Sequence, residues 1–235
     1  MTAAIPTFTV AFPLRGEWVA AHTPAARVPS HGTDALGQRY AYDFLRIEPG
    51  RGWRFFRGSA LRYWLAGVTL DACPGWRAPI YAPFAGTVIA ARDGWPERRR
   101  LHPLADLALV LTVLLRHPRL RGPRTTDDLR PALGNYIILK MPDREVYALL
   151  AHAHTRSVRV HDGDTVTCGQ HLADVGHSGN STAPHLHFQL MDRADIRHAQ
   201  GLPCDFERYE ARRNGAWRAV THGMPGLREF IRHDT

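Results

Sequence analysis

Cysteines and long apolar runs are both scarce in this chain of 235 residues. The three cysteines, Cys73, Cys168 and Cys204, lie far apart and form no Cys-x-x-Cys pair, so the sequence predicts neither a disulfide framework nor a structural zinc knuckle. No segment reaches the roughly 18–20 apolar residues that a membrane-spanning helix needs. The first 15 residues also lack the basic start and the apolar stretch of a secretory signal. We therefore expect reduced thiols, no transmembrane segment and a soluble protein with no evident export route.

Lysine is nearly absent as well. Of the 30 basic residues, 29 are arginine and one is Lys140, and the formal net charge is +8. The arginine bias is typical of a GC-rich genome. The sequence has no DNA- or RNA-binding motif and no basic stripe interleaved with aromatic residues, so we do not expect nucleic acid as a partner. Attraction to a polyanion such as an anionic cell wall stays open beside the simpler interpretation of a cationic surface.

Most of the sequence has the pattern of short strands separated by Gly and Asp turns, which predicts a mainly antiparallel β fold. Residues 17–29 are predicted to be irregular, and hairpins are predicted at 80–91, at 136–152 and around Asn214-Gly215, a strong turn signal. The predicted strands cover residues 8–12, 40–47, 80–81, 86–91, 136–140, 146–152, 157–160, 171–176, 185–190, 206–212 and 217–220.

Two stretches interrupt the strand pattern. Residues 48–75 are rich in aromatic residues and arginine and are predicted to be a long loop. Residues 104–115 are apolar, with Pro103 at a helix-start position and Pro118 beyond the end, which predicts an inserted helix. We expect this helix to pack against the sheet, and a membrane-surface or partner-docking role is the alternative.

The segment that carries most chemical information is His185-Leu186-His187, on a predicted strand. Side chains at positions i and i+2 of a strand point to the same side, so both imidazoles face one site. A catalytic zinc needs three protein ligands and an open position, and His31, Asp43 and His187 would supply two imidazoles and a carboxylate. His152 and His185 are suited to the roles of general base and oxyanion stabiliser. The sequence therefore suggests a zinc hydrolase, although most of its 14 histidines are expected to be ordinary surface or loop residues.

The surroundings of these residues form an ordered series of motifs. The series consists of Ile80-Tyr81-Ala82-Pro83-Phe84-Ala85-Gly86-Thr87-Val88, Gly134-Asn135-Tyr136-Ile137-Ile138, Ala151-His152, the stretch 158–170, and 175–188 ending in His-Leu-His-Phe. It resembles the lysostaphin-type (M23 family) zinc endopeptidases over about residues 28–47, 78–92 and 134–190.

The resemblance implies a β-sheet peptidase that binds one Zn²⁺ and cuts the peptide cross-links of bacterial peptidoglycan, with peptide or peptidoglycan as its substrate. It implies that His31 and His187 are metal ligands and that His152 and His185 are the catalytic imidazoles. Such an activity implies a location in the cell envelope or outside the cell, which conflicts with the missing signal, so we leave the localisation open.

The sequence departs from the family pattern at two places. The family spaces its first His and its Asp four residues apart, whereas here Asp34 and Asp43 lie three and twelve residues after His31. We predict that Asp43 is the ligand, because a carboxylate on a strand among apolar neighbours needs a partner and Asp34 lies in a polar turn. The family's usual Glu after His-x-His-Phe is Gln189, a neutral group that can still orient an imidazole.

We expect one peptidase-like domain over residues 1–235, with a family-like core at about 28–190, an insertion at about 96–131 and a C-terminal hairpin extension at about 192–235. Some relatives of the family have lost their zinc ligands and regulate cell-wall hydrolases, and this non-catalytic role is the alternative function. The turns of residues 158–170 are also similar to those of lipoyl and biotinyl carriers, which need a lysine on an exposed hairpin tip. Lys140 is the only lysine and lies outside that segment, so we do not expect a carrier function. The bond that is cleaved, the oligomeric state and the identity of the general base among His152 and His185 stay open.

Overall fold

Strands are the main regular secondary structure in the described part of the chain, which in this computed structural model comprises residues 7–48, 53–116 and 129–234. The strands are β1 Phe8–Val10, β2 Gly16–His22, β3 Tyr42–Leu45, β4 Val68–Thr69, β5 Pro79–Tyr81, β6 Gly86–Arg92, β7 Arg100–Leu101, β8 Asn135–Lys140, β9 Tyr147–Ala153, β10 Thr165–Val166, β11 His171–Asp174, β12 His185–Met191, β13 Gly201–Leu202, β14 Cys204–Arg213, β15 Ala216–Gly223 and β16 Phe230–His233. The helices are α1 Ala60–Ala66, α2 Pro103–Arg116 and α3 Arg130–Leu133, and 3-10 turns cover Ala35–Tyr40 and Leu70–Ala72.

One large sheet contains most of these strands and confirms the predicted mainly antiparallel β fold, while β5 with β11 and β4 with β7 form two small sheets. Its strand order is β1-β14-β16-β2-β3-β12-β9-β8-β6-β10, with β13 beside β12 and β15 beside β14. The neighbours pair antiparallel, except that β1 runs parallel to β14. The strands β2, β3, β12 and β9 are therefore adjacent, which brings residues that are distant in sequence to one part of the sheet.

Alternation along β3 and β12 decides which side chains are buried in the core and which face the opposite side of the sheet. Tyr42 and Phe44 on β3, and Leu186 and Phe188 on β12, are fully buried in the main apolar cluster. Because strand side chains alternate, Asp43, His185, His187 and Gln189 project from the other face. The buried apolar residues thus fix the strand register, and this register places the four polar side chains together on the opposite face.

Two predicted hairpins are confirmed and one is wrong. β8 pairs with β9, and β14 pairs with β15 through Asn214-Gly215, both of which have the positive φ angles that a tight hairpin turn requires. The hairpin predicted at 80–91 does not form, because β5 pairs with β11 whereas β6 pairs with β8 and β10. Strand propensity locates strands but does not choose their partners.

Three other local predictions are also wrong. Residues 17–29 include β2, whose Trp18 and Ala20 are buried between β16 and β3. The loop predicted at 48–75 contains α1, capped by the Ser59 hydroxyl, which accepts a hydrogen bond from the Arg62 amide. Residues 157–160 do not form a strand.

The predicted inserted helix is present as α2, but its packing differs from the prediction. Leu104, Leu107 and Leu111 are exposed, whereas Asp106 is buried. Of the side chains described in this helix, Asp106 is held against the rest of the protein, where it binds Arg98, and Leu109 is partly buried. Among the residues that the structure describes, no helix has both the length and the apolarity to span a bilayer.

Candidate metal centre and catalytic cleft

Asp43 lies at the centre of a group of histidines. Its strand β3 runs between β2 and β12, and the register places it opposite both His22 and His187. One carboxylate oxygen, Oδ2, lies 2.9 Å from His22 Nδ1 and 3.0 Å from His31 Nε2. The other, Oδ1, lies 2.9 Å from His187 Nδ1 and 3.6 Å from His185 Nε2. Four imidazoles from two strands and one loop thus converge on one carboxylate.

The orientation of His31 follows from a hydrogen-bond chain behind it. The Ser30 hydroxyl donates to the Gln38 carbonyl at 3.1 Å, so its oxygen is free to accept from His31 Nδ1, also at 3.1 Å. With the proton on Nδ1, the neutral imidazole has its lone pair on Nε2, the atom that faces Asp43.

His187 is oriented through Gln189 by the same logic. The Gln189 amide nitrogen donates to the Leu36 carbonyl at 2.8 Å, and a carbonyl can only accept. Gln189 therefore presents its oxygen to His187 Nε2, also at 2.8 Å, and the proton lies on Nε2. Against its burial, the hydrogen bond with Asp43 raises the pKa of His187. In the neutral form of this ring the lone pair is on Nδ1, the atom that faces Asp43.

His152 and His185 hold their protons away from the cleft. His152 Nδ1 donates to the Ser178 carbonyl at 2.9 Å, and His185 Nδ1 donates to the Ala183 carbonyl at 2.7 Å. Both Nε2 atoms therefore keep a free lone pair, and the two ring centroids lie 4.7 Å apart. Burial lowers the pKa of His185 and holds the pKa of His152 well below its usual range. Both imidazoles are therefore neutral and can accept a proton at Nε2.

The donor set at Asp43 fits a divalent cation. Burial opposes ionisation of Asp43, but attraction to His185 and hydrogen bonds with His187, His22 and His31 hold the pKa of its carboxyl well below its usual range. Such hydrogen bonds need a proton on His31 Nε2 and on His187 Nδ1, whereas a bound cation would replace those protons and take the lone pairs of both nitrogens. A tetrahedral zinc ion with ligands at about 2.0–2.2 Å separates neighbouring donor atoms by about 3.3–3.5 Å. The nitrogen–oxygen separations of 2.9–3.0 Å are shorter than that spacing and go to different oxygens of Asp43, and among the described residues the group whose ligand atoms all lie within 4.8 Å of one another is His22, His31 and Asp43.

Asp34 lies outside this group. Its carboxylate pairs with Arg39 at 2.7 Å, and its side chain is 62% exposed, compared with 13% for Asp43. The structure thus brings together His31, Asp43, His152, His185 and His187, and it leaves Asp34 at the surface.

His22 is a member of the group that sequence reasoning missed. His22, His31 and Asp43 each offer a ligand atom within 4.8 Å of the others. Hydrogen bonding to Asp43 raises the pKa of His22, and its side chain is 48% exposed. The one available signal was the apolar stretch Trp18–Ala21 directly before it, which marks the strand that carries it.

A cleft of about 200 Å³ opens above these residues. Polar groups from the loop 177–182 and apolar side chains from α3, β9 and the turn 35–40 form its walls. The lining residues are His31, Leu36, Gln38, Asp43, Ala132, Leu133, Leu149, His152, Asn180, Thr182, His185, His187 and Gln189. Such a mixture of apolar walls and a few convergent polar groups is typical of a substrate site.

A carboxylate with convergent imidazoles, beside two neutral histidines in a cleft, has the composition of a metal-dependent hydrolase centre. Residues 124–200 match the model described as peptidase family M23. The predicted resemblance is therefore confirmed for this segment, which includes His152, His185 and His187 but not His31 or Asp43.

Solved structures similar to this chain include three peptidases. A zinc-containing peptidase from Vibrio cholerae is 20% identical with a TM-score of 0.38, and the match covers 85% of this chain and 41% of that longer chain. The lysostaphin catalytic domain from Staphylococcus simulans is 18% identical with a TM-score of 0.37, and the match covers 83% of this chain and 88% of that chain. A mutant of the catalytic domain of the prophage-encoded M23 protein EnpA from Enterococcus faecalis is also 18% identical, with a TM-score of 0.38, and the match covers 79% of this chain and 88% of that chain. Likenesses this distant do not carry an activity or a substrate over to this chain.

Proposed function

We propose that this protein is a zinc-dependent endopeptidase that hydrolyses amide bonds in the peptide cross-links of peptidoglycan. The observation that carries the proposal is the orientation of the imidazoles around Asp43. His31 Nε2 and His187 Nδ1 lie at the carboxylate, while His152 and His185 direct Nδ1 to backbone carbonyls and so leave Nε2 for the cleft. Ligands and proton acceptors are thus separated within one site.

His31, Asp43 and His187 would hold the zinc ion. They supply two neutral imidazoles and one carboxylate, which leaves a position open for water or substrate. A bound Zn²⁺ would supply Lewis acidity, which polarises a carbonyl and lowers the pKa of water. His22, more exposed and bonded to the same Asp43 oxygen as His31, would orient the carboxylate from outside.

His152 and His185 would perform the proton transfers. Either Nε2 can accept a proton from the attacking water, and the resulting imidazolium can return it to the leaving amine. The other imidazole can take up a proton from solvent at Nε2 as negative charge develops, and then donate a hydrogen bond to the oxyanion on the scissile carbonyl. Each Nδ1 proton stays on a backbone carbonyl throughout, so neither ring needs to rotate.

The substrate class is proposed from the family together with the shape of the cleft. Leu36, Leu133 and Leu149 line it beside Asn180 and Thr182, which suits an extended peptide with small side chains. Peptidoglycan as substrate would require the protein to act in the cell envelope or outside the cell. We propose a single peptidase-like domain over residues 1–235, with the inserted segment at about 96–131 and the C-terminal hairpin extension at about 192–235 as additions to it.

A non-catalytic regulator of cell-wall hydrolases is the alternative function. That role is expected where zinc ligands have been lost, whereas all five proposed positions are filled here.

The test combines metal analysis with digestion of muropeptides. Purified protein is expected to contain about one zinc per chain and to release cleaved cross-link peptides that mass spectrometry identifies. His152→Ala, which keeps the proposed ligands, is the matched control and should bind zinc without cleaving. Protein that binds zinc but leaves both muropeptides and unrelated peptides intact would support the regulator and contradict the peptidase.

A further inference from the structure

The inserted segment begins at about residue 96, and its first residues contact the loop 177–181, which bonds to the catalytic histidines. Glu97 forms an isolated antiparallel bridge with Ser178, and its carboxylate accepts a hydrogen bond from the His177 amide at 2.5 Å. The other oxygen of Glu97 lies 2.5 Å from His154 Nδ1. The segment outside the family resemblance therefore contacts the loop 177–181.

Arg98 forms hydrogen bonds on both sides of this junction. Its Nη1 donates to the Gly179 carbonyl at 3.0 Å, and its Nη2 donates to the Ser181 carbonyl and lies 2.9 Å from His177 Nε2. On the other side, Nε donates to Asp106 of α2 at 3.2 Å. Asp106 is itself fixed, since its second oxygen accepts from the His102 amide at 3.0 Å. One guanidinium thus joins the inserted helix to the loop.

The same loop contacts the Nδ1 atoms of both catalytic imidazoles. The Ser178 carbonyl accepts the Nδ1 proton of His152. The Ser181 hydroxyl donates to the Ala183 carbonyl at 2.6 Å and lies 3.1 Å from His185 Nδ1. A displacement of this loop would therefore change the environment of both Nδ1 protons at once.

His177 connects Arg98 to Ser181 within the loop. Because a guanidinium has only donors, His177 must accept at Nε2 and direct its Nδ1 proton to Ser181 Oγ, 3.1 Å away. Burial, with the charge of Arg98, lowers the pKa of His177 to about 3, so it is neutral at physiological pH. A neutral His177 can accept from Arg98 and donate to Ser181 at the same time.

We propose that Arg98 is a positioning residue of the catalytic cleft, which holds the loop 177–181 so that His152 and His185 present their Nε2 lone pairs to the substrate. This inference rests on the proposed function for the reaction that the cleft performs. The contacts of Arg98 with the loop are independent of that proposal. The inserted segment then has a role in catalysis, because it supplies both the guanidinium and the carboxylate that anchors it.

The test compares Arg98→Ala with Arg99→Ala, its exposed neighbour. Arg98→Ala should keep zinc and KM and lower kcat on the order of 10²-fold, the effect of misplacing reacting groups by about 1 Å. Guanidinium ion at millimolar concentration should restore part of kcat, and Arg98→Lys should give an intermediate value, since an ammonium lacks the fork that reaches two carbonyls. Arg99→Ala should match the parent.

A second measurement needs no substrate. ¹⁵N NMR spectra of the imidazoles should show His152 and His185 as Nδ1-protonated tautomers in the parent and as a tautomer mixture in Arg98→Ala. An inactive parent that shows this change would contradict the proposed function but support the role of Arg98. Parental kcat together with parental imidazole spectra in Arg98→Ala would overturn the inference. Should Arg98→Ala not fold, Arg98→Lys decides, and parental values in that variant would also overturn it.

Discussion

Gln189 is predicted to control zinc affinity although it does not contact the metal position. Its oxygen accepts the Nε2 proton of His187 and its amide donates to the Leu36 carbonyl, both at 2.8 Å, and its side chain is fully buried. In Gln189→Met, an uncharged side chain of similar size, His187 loses the acceptor that keeps its Nδ1 lone pair directed at Asp43. The Leu36 carbonyl loses its donor at the same time.

The expected magnitudes follow from these two losses. Removing a hydrogen-bond partner behind a metal-ligating histidine costs on the order of 10–100-fold in metal affinity. Each buried polar group left without a partner costs about 1–3 kcal/mol, so the metal-free protein should lose about 2–6 kcal/mol of its free energy of unfolding. This is a large part of the roughly 5–15 kcal/mol that is typical of native proteins.

The assay is a competition titration with a zinc chelator, together with urea unfolding of the metal-free protein. Gln200→Met, at an exposed glutamine outside the cleft, is the control and should leave both quantities unchanged. Zinc affinity within about twofold of the parent in a folded Gln189→Met protein would refute the reasoning that the tautomer of His187 is fixed through Gln189.

Three further sets of substitutions test the separate roles in the site. His187→Ala should lose the zinc that metal analysis finds in the parent, and full occupancy in a folded variant would contradict its assignment as a ligand. His152→Ala and His185→Ala should keep zinc and lose on the order of 10²-fold or more in kcat, because each removes a proton-transfer group, and a parental rate in either would remove that histidine from the mechanism. Asp43→Ala should lose most of the zinc affinity whereas Asp34→Ala should keep it, as measured by the same titration, and the reverse result would make Asp34 the ligand.

The sequence was sufficient to predict the residues of the site that lie on strands with clear alternation. His185 and His187 face one side because Leu186 and Phe188 are buried on the other, and Asp43 joins them because Tyr42 is buried in the same way. Periodicity of two residues is a local property, so it is visible in the sequence.

The contributions of His22 and Arg98 could not be predicted, because they depend on pairing between distant segments. His22 reaches Asp43 only because β2 pairs with β3, with an irregularity in register between Ala20 and His22. Arg98 reaches the loop 177–181 only because Glu97 bridges to Ser178. A single sequence gives no signal for either pairing, and the wrong hairpin prediction at 80–91 has the same origin.

The two departures from the family pattern are physically linked. The extra residues between His31 and Asp43 form the turn 35–40, in which Leu36 and Gly37 have positive φ angles of 58° and 73°. This turn places the Leu36 carbonyl 2.8 Å from the Gln189 amide, so close that a Cβ on Gly37 would lie 2.8 Å from the same nitrogen.

A glutamate at position 189, the family's usual residue, would therefore direct an oxygen at a carbonyl oxygen. We expect Gln189→Glu to keep zinc, because a carboxylate still accepts the Nε2 proton of His187, and to unfold at a lower urea concentration, because the Leu36 carbonyl loses its donor. This pattern differs from that of Gln189→Met, in which both zinc affinity and stability fall. Equal stability of Gln189→Glu and the parent in urea unfolding would show that the longer loop does not require glutamine.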